Sequence, residues 1–273
     1  MNRIDQKFKA LRKLNKKAFI AFLTAGYPDL KTTEELVVAF EKVGVDIVEI
    51  GVPFSDPMAD GKTIQAASQK ALEHQVTLAK ILQLVKRIRT RSQIPIALMS
   101  YYNPVFHFGN ARFIAQAKAA GVDGVIVPDL PPEEAKDLIK AARAKNIATV
   151  FFLAPTTSKY RIKRIADASS GFVYYVSVTG ITGTGQSIAT DSIGKHIKQV
   201  KQFTDKPICV GFGVSTPEQV RSIANISDGV IVGSEIIRRI ERNRGKKDLV
   251  KRVAGFVKNL SSAIEKETIT KKQ

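Results

Sequence analysis

From Ala18 onward, short apolar runs rich in β-branched and aromatic residues alternate with longer stretches whose apolar positions recur every three or four residues. The runs are residues 18–23, 47–50, 96–99, 124–127, 149–153, 173–176, 208–210 and 229–232. They are strand-length, and a near-continuous apolar run is what a parallel strand buried on both faces needs. Helical faces lie between them, such as Leu36, Val37 and Phe40 after the first run and Phe113, Ala117 and Ala120 after the third. Gly44, Gly121 and Gly171 fall where such helices should stop. Eight strands alternating with helices are what an α/β fold of the (β/α)8 TIM barrel type requires.

The same pattern places elements at both ends. Ile4, Phe8 and Leu11 share one helical face and predict an extra N-terminal helix, while residues 1–17 lack the apolar centre of a signal peptide. Leu249, Val253, Phe256, Leu260 and Ile264 mark a last helix, after which a short basic C-terminal tail from about residue 268 should fray. No linker or shift of composition divides the chain, so residues 1–273 read as a single barrel domain.

Composition narrows the setting. The apolar runs are too short to cross a bilayer, and 44% hydrophobic content is ordinary for a soluble chain. One cysteine, Cys209, excludes an internal disulfide and fits a reducing, cytoplasmic location. His74, His107 and His196 are scattered, without the spacing of a metal site, so no metal is expected. The net charge of +18 would attract anions or nucleic acid. The basic residues are nevertheless distributed along the predicted helices without interleaved aromatics, which favours solvated helix faces over a nucleic-acid surface.

Against this background Glu49 stands out, a carboxylate among Val45, Ile47, Val48 and Ile50. Burying such a charge is costly, and its parity with Ile47 directs it to the barrel interior, where a carboxylate could meet a substrate. The competing reading is a Glu turned outward to pair with a helix Lys or Arg. The loop that follows, residues 51–61, combines Pro53 and Pro57 with an exposed Phe54 and two aspartates. Asp56 reads as a turn former. Asp60 reads as a group able to swing over a ligand, although it could instead start the helix containing Ile64.

Three glycine-rich connections follow late strands: Thr179-Gly-Ile-Thr-Gly-Thr-Gly-Gln-Ser187, Gly211-Phe-Gly-Val-Ser-Thr-Pro217 and Gly233-Ser-Glu-Ile-Ile237. Backbone amides in such loops, beside a helix N-terminus, make the usual phosphate cradle of this architecture.

Glu49-Ile-Gly-Val-Pro-Phe-Ser-Asp-Pro57 and Ala59-Asp-Gly61 resemble the signature of the tryptophan synthase α chain family. The likeness continues in order and spacing through Tyr101-Tyr-Asn-Pro104, Val127-Pro-Asp-Leu-Pro131, Thr179-Gly-Ile-Thr-Gly183, Gly211-Phe-Gly213 and Gly233-Ser234, covering the chain from the first helix to about Ser262. The resemblance implies a carbon–carbon lyase of tryptophan biosynthesis that cleaves indole-3-glycerol phosphate to indole and glyceraldehyde 3-phosphate. Glu49 then matches the general acid and base, and Asp60 the carboxylate at the indole nitrogen. Phe22, Ile64, Met99, Ile126, Phe152 and Phe212 match the indole pocket, with Tyr101, Tyr174 and the loop residue Thr182 as further substrate contacts; strand alternation sends only one of Tyr174 and Tyr175 inward. Gly183, Gly213, Gly233 and Ser234 match phosphate contacts.

The resemblance further implies no cofactor in this subunit, a β chain carrying pyridoxal phosphate as partner in an α2β2 heterotetramer, and an interface that includes the loop around residues 53–56. Lys62 departs from the proline that often follows the Ala-Asp-Gly segment, and Val178 and Thr184-Gly-Gln depart within the closing loop. Two other readings compete: another phosphate-binding barrel, an isomerase or decarboxylase, which shares the glycine loops but gives no reason for Glu49 with Asp60, and a non-catalytic anion-binding scaffold, which rests on charge alone.

Overall fold

A computed structural model describes residues 1–177, 186–211 and 213–264, with backbone alone for 186–189. The strands are β1 (Ala18–Thr24), β2 (Ile47–Gly51), β3 (Ile96–Met99), β4 (Gly124–Ile126), β5 (Ala148–Val150), β6 (Phe152–Leu153), β7 (Val173–Val176), β8 (Ile208–Gly211) and β9 (Gly229–Val232). Every pairing is parallel, in the order β5-β4-β3-β2-β1-β9-β8-β7-β6. The two terminal strands of that order are consecutive pieces of one stave parted at Phe151, so the chain itself closes the ring.

The run 149–153, expected as one strand, is therefore two. Its first piece pairs with β4, Ile126 opposite Val150, and its second with β7, Phe152 opposite Tyr174. At the break the Phe151 carbonyl still accepts the Tyr174 N–H at 3.0 Å. The stave changes partner midway, so neither ladder runs its whole length.

Alternation along the strands divides the apolar residues into two cores. One lies between strands and outer helices; the other fills the barrel and contains Ile20, Ile47, Ala97, Ile126, Val150, Tyr174, Cys209 and Ile231. Helix α1 (Arg3–Lys13) adds Ile4, Phe8 and Leu11 to that inner core and plugs the end of the barrel at which the strands begin. The expected spacing of these three residues on one face is what allows it. Asn2 caps this helix, accepting the Asp5 N–H at 3.0 Å.

The plugged end is also tied by aspartates that precede strands. Asp46, Asp123 and Asp228 accept the N–H of Phe19, Ile96 and Ile208 on the neighbouring strand at 2.9, 3.0 and 2.9 Å. Asp123 is buried and also meets Arg89 at 2.8 Å and Arg3 at 3.0 Å. Both oxygens are thus satisfied, as a buried carboxylate requires. No described helix is long and apolar enough to cross a membrane.

Candidate active site

The open end of the barrel holds a cleft that is partly continuous with solvent. Glu49 reaches it from the middle of β2, flanked in the ladder by Phe22 and Ala97. Its parity with Ile47 does send it inward. The residue is completely buried, and among the described residues neither carboxylate oxygen has a hydrogen-bond partner. No described Lys or Arg pairs with it, and its inward course removes the outward reading. Burial lifts the Glu49 carboxyl to about 8, and the neighbouring Asp60 charge adds to the lift. It is a protonated acid at neutral pH, ready to give up a proton.

Asp60 lines the same cleft. It does not cap the following helix α3 (Lys62–Glu73), whose N-cap is Gly61 without a side-chain bond. Instead the Tyr101 hydroxyl donates to Asp60 Oδ2 at 3.2 Å and accepts the Ala59 N–H at 2.9 Å. Burial raises the Asp60 carboxyl to about 6 while the Tyr101 hydrogen bond opposes the rise. At neutral pH Asp60 is therefore mostly ionised beside a mostly neutral Glu49, a division of roles that one environment enforces on two carboxyls. Tyr101 thus contacts Asp60 and fixes the loop that carries it. Phe54, expected to be exposed, is half-buried with its ring stacked on Tyr101 at 5.2 Å, because the loop folds back over that tyrosine. Asp56 is exposed and bonded to Ser55, as a turn residue would be.

The remaining wall is apolar. Phe22, Ile64, Met99 and Tyr174 line the cleft, as do Val214 and Ile231, which sequence reasoning missed. Tyr174 is the inward member of its pair; Tyr175 faces the helices and bonds His196 Nδ1 at 2.9 Å. The Phe152 ring packs tilted against Tyr174 with centroids 4.6 Å apart and lines a second, mainly apolar hollow that shares Met99 with the first. Ile126 sits fully buried within the inner core, opposite Met99 on the next strand.

Two glycines make room for these rings. A Cβ on Gly51 would lie 2.6 Å from the Phe22 ring, and one on Gly211 would lie 2.6 Å from the Tyr174 hydroxyl.

Gly213, Gly233 and Ser234 also line the cleft, Gly233 so close to Phe22 that a Cβ on it would lie 3.2 Å from that side chain. Gly213 adopts a left-handed φ of 77° after β8. Gly233 is the N-cap of helix α11 (Ser234–Glu241), so the helix starts at the cleft with its first N–H groups unpaired by the helix itself. Arg238, one turn further along α11, also lines the cleft and was not singled out from the sequence; its place four residues after Ser234, on the same helical face, was the available signal. Thr182, Gly183 and Phe212, with Val178, Thr184 and Gly185, lie outside the described residues, as does the tail from about residue 268, and of Gln186 the backbone alone is described. Among the described residues no cluster of His, Cys, Asp or Glu could hold a metal ion.

Residues 8–265 match the family model for the tryptophan synthase alpha chain. The chain belongs to the tryptophan synthase alpha chain family. The alpha chain of Geotalea uraniireducens is 48% identical over 97% of this chain and 98% of that relative, and that of Thermoanaerobacter pseudethanolicus is 46% identical over 97% and 100%. Tryptophan synthase subunit alpha from Legionella pneumophila superposes with a TM-score of 0.90 at 35% identity, over 97% of this chain and 99% of that one. A chain of tryptophan synthase from M. tuberculosis gives 0.87 at 31% identity, over 97% and 99%. The activity of the family is the lyase cleavage of indole-3-glycerol phosphate, performed alongside a β chain in an α2β2 complex in which pyridoxal phosphate belongs to the β chain.

Proposed function

We propose that Glu49 is the proton carrier of this cleavage and Asp60 the anchor of the indole nitrogen. The observation that carries the reading is a fully buried Glu49 with both oxygens unpartnered among the described residues, in a cleft that Asp60 shares. Neutral Glu49 protonates the indole carbon that bears the glycerol chain. The positive charge that develops at the ring nitrogen is met by ionised Asp60, which accepts the N–H. The Glu49 carboxylate then takes the proton of the adjacent side-chain hydroxyl, the carbon–carbon bond breaks, its electron pair restores the indole, and the aldehyde departs. Glu49 ends protonated as it began, so protons balance without an external base.

Phe22, Ile64, Met99, Phe152 and Tyr174, with Ile126 supporting them from below, form the apolar receptacle for indole, completed by Phe212. Gly213 after β8, with Gly233 and Ser234 at the start of α11, hold the phosphate through backbone N–H groups, joined by Gly183 and Thr182. The chain acts as a single barrel domain in the cytoplasm, and its exposed Ser55, Asp56 and Met58 belong to the surface that meets the β chain.

Replacing Glu49 by Gln should abolish indole release from indole-3-glycerol phosphate while preserving the fold by circular dichroism. Full turnover in that variant would overturn the assignment.

A further inference from the structure

The described wall of the cleft has little positive charge to offer a substrate phosphate. Its acidic side chains are Glu49 and Asp60, and among the described wall residues Arg238 is the one cation. A substrate phosphate near neutral pH carries a charge of about −1.5 to −2, whereas a helix N-terminus supplies roughly half a positive charge. The backbone cradle alone therefore leaves much of the dianion uncompensated in a cleft that already holds carboxyls.

We propose that Arg238 is a substrate-binding residue of this enzyme, leaving Glu235 to pair with the phosphate seated at Gly213, Gly233 and Ser234. The inference rests on the phosphate assignment above. Arg238 stands four residues after Ser234 on α11, so both side chains project from one face toward the same cleft. In the free chain its Nε lies 2.7 Å from Glu235 Oε2. That pair is solvent-accessible on the arginine side, 43% exposed, and so is weakly held. Glu235 keeps a second cation when Arg238 departs, because Arg242 lies 4.0 Å from its other oxygen. The guanidinium is suited to the new role, since its planar fork can bond two phosphate oxygens at once. Glu235 acts as the resting partner that holds the guanidinium beside the cleft until a phosphate competes for it. The carboxyls that do the chemistry lie on other elements, so the contribution of Arg238 belongs to binding.

The test is steady-state indole release by the complex with its β chain, comparing Arg238→Gln, Arg238→Lys, Glu235→Gln and Ser234→Asp. Inhibition is measured in parallel with inorganic phosphate and with indole-3-glycerol lacking the phosphate. Arg238→Gln should raise KM for the phosphorylated substrate on the order of tenfold, the loss of one charge-assisted pair, with kcat within about twofold. It should weaken inhibition by inorganic phosphate in proportion and leave that by indole-3-glycerol unchanged. Arg238→Lys should fall between, and Glu235→Gln, which frees the arginine, should lower KM. An unchanged KM in Arg238→Gln, or equal weakening of both inhibitors, would overturn the proposal. Ser234→Asp places an anion in the cradle itself. If it raises KM while Arg238→Gln does not, only the arginine inference fails; if neither raises KM, the phosphate assignment fails with it.

Discussion

The Tyr101 hydroxyl donates to Asp60 Oδ2 at 3.2 Å while the same oxygen accepts the Ala59 N–H at 2.9 Å, so one phenol fixes both the carboxylate and the backbone that presents it. This hydrogen bond also favours the ionised form of Asp60 against the burial that raises its pKa. Tyr101→Phe removes the donor. The acid limb of kcat/KM should move upward by about half a unit to one unit, a shift read directly from a pH–rate profile.

In the unmodified enzyme the profile should be bell-shaped. Activity rises as Asp60 ionises near 6 and falls as the neutral Glu49 is lost near 8. Asp60→Asn should lower kcat/KM on the order of a hundredfold and erase the acid limb, because the amide cannot neutralise the charged ring nitrogen. An Asp60→Asn enzyme that retained both the limb and the rate would refute the assignment.

Glu49 has a cost for the fold that follows from its raised pKa. In the unfolded chain it ionises near its ordinary 4.5, whereas in the native barrel it stays protonated to about 8. Between those values the native state binds the extra proton, so stability falls as pH rises through the window and levels off above it. Glu49→Gln should then stabilise the free chain by about 3 kcal/mol at pH 7, with the gain vanishing below about pH 4.5. Urea unfolding of both chains at pH 4 and pH 7 measures the difference.

Gly51 supplies space that Phe22 occupies. A Cβ there would sit 2.6 Å from the ring, and so Gly51→Ala should displace Phe22, cost about 1–3 kcal/mol and raise KM. Adding Phe22→Leu should recover much of the stability but not the affinity for the indole end of the substrate. Thermal unfolding and KM for the single and double variants separate the two effects.

At the plugged end, Asp123 satisfies Arg89, Arg3 and the Ile96 N–H together. Asp123→Ala leaves the Arg89 guanidinium, one-tenth exposed, without its charge partner, and should destabilise the chain by about 3–5 kcal/mol. The site lies at the other end of the strands, so kcat below the unfolding range should be unchanged.

Much of this was legible in the residues. The barrel was readable because two-sided burial of parallel strands writes itself as apolar runs, and the first helix because Ile4, Phe8 and Leu11 recur at helical spacing. The placement of Glu49 followed from its parity with Ile47. Less legible were features created by contacts between distant segments. Nothing near Phe151 shows that its stave changes partner there. The ring of Phe54 looked exposed because Tyr101, which covers it, lies far along the chain, and Arg238 looked like one more basic helix residue until the start of α11 was seen to face the cleft. Gly51 and Gly211 carried a signal in retrospect: each stands at the last position of a strand, where a missing side chain admits a ring from a neighbouring strand.

The sequence by itself determined the alternating elements, the inward carboxylate and the family, because these depend on local periodicity and on residues close together in the chain. Only the tertiary structure decided which of Tyr174 and Tyr175 enters the barrel, that Tyr101 holds Asp60, and that Glu49 finds no partner for either oxygen among the described residues. Those outcomes depend on ring closure, which brings β2, β7 and α11 around one cleft and buries Glu49 at its floor. The same burial raises the Glu49 pKa, so the acid that the chemistry needs is a consequence of the closed barrel.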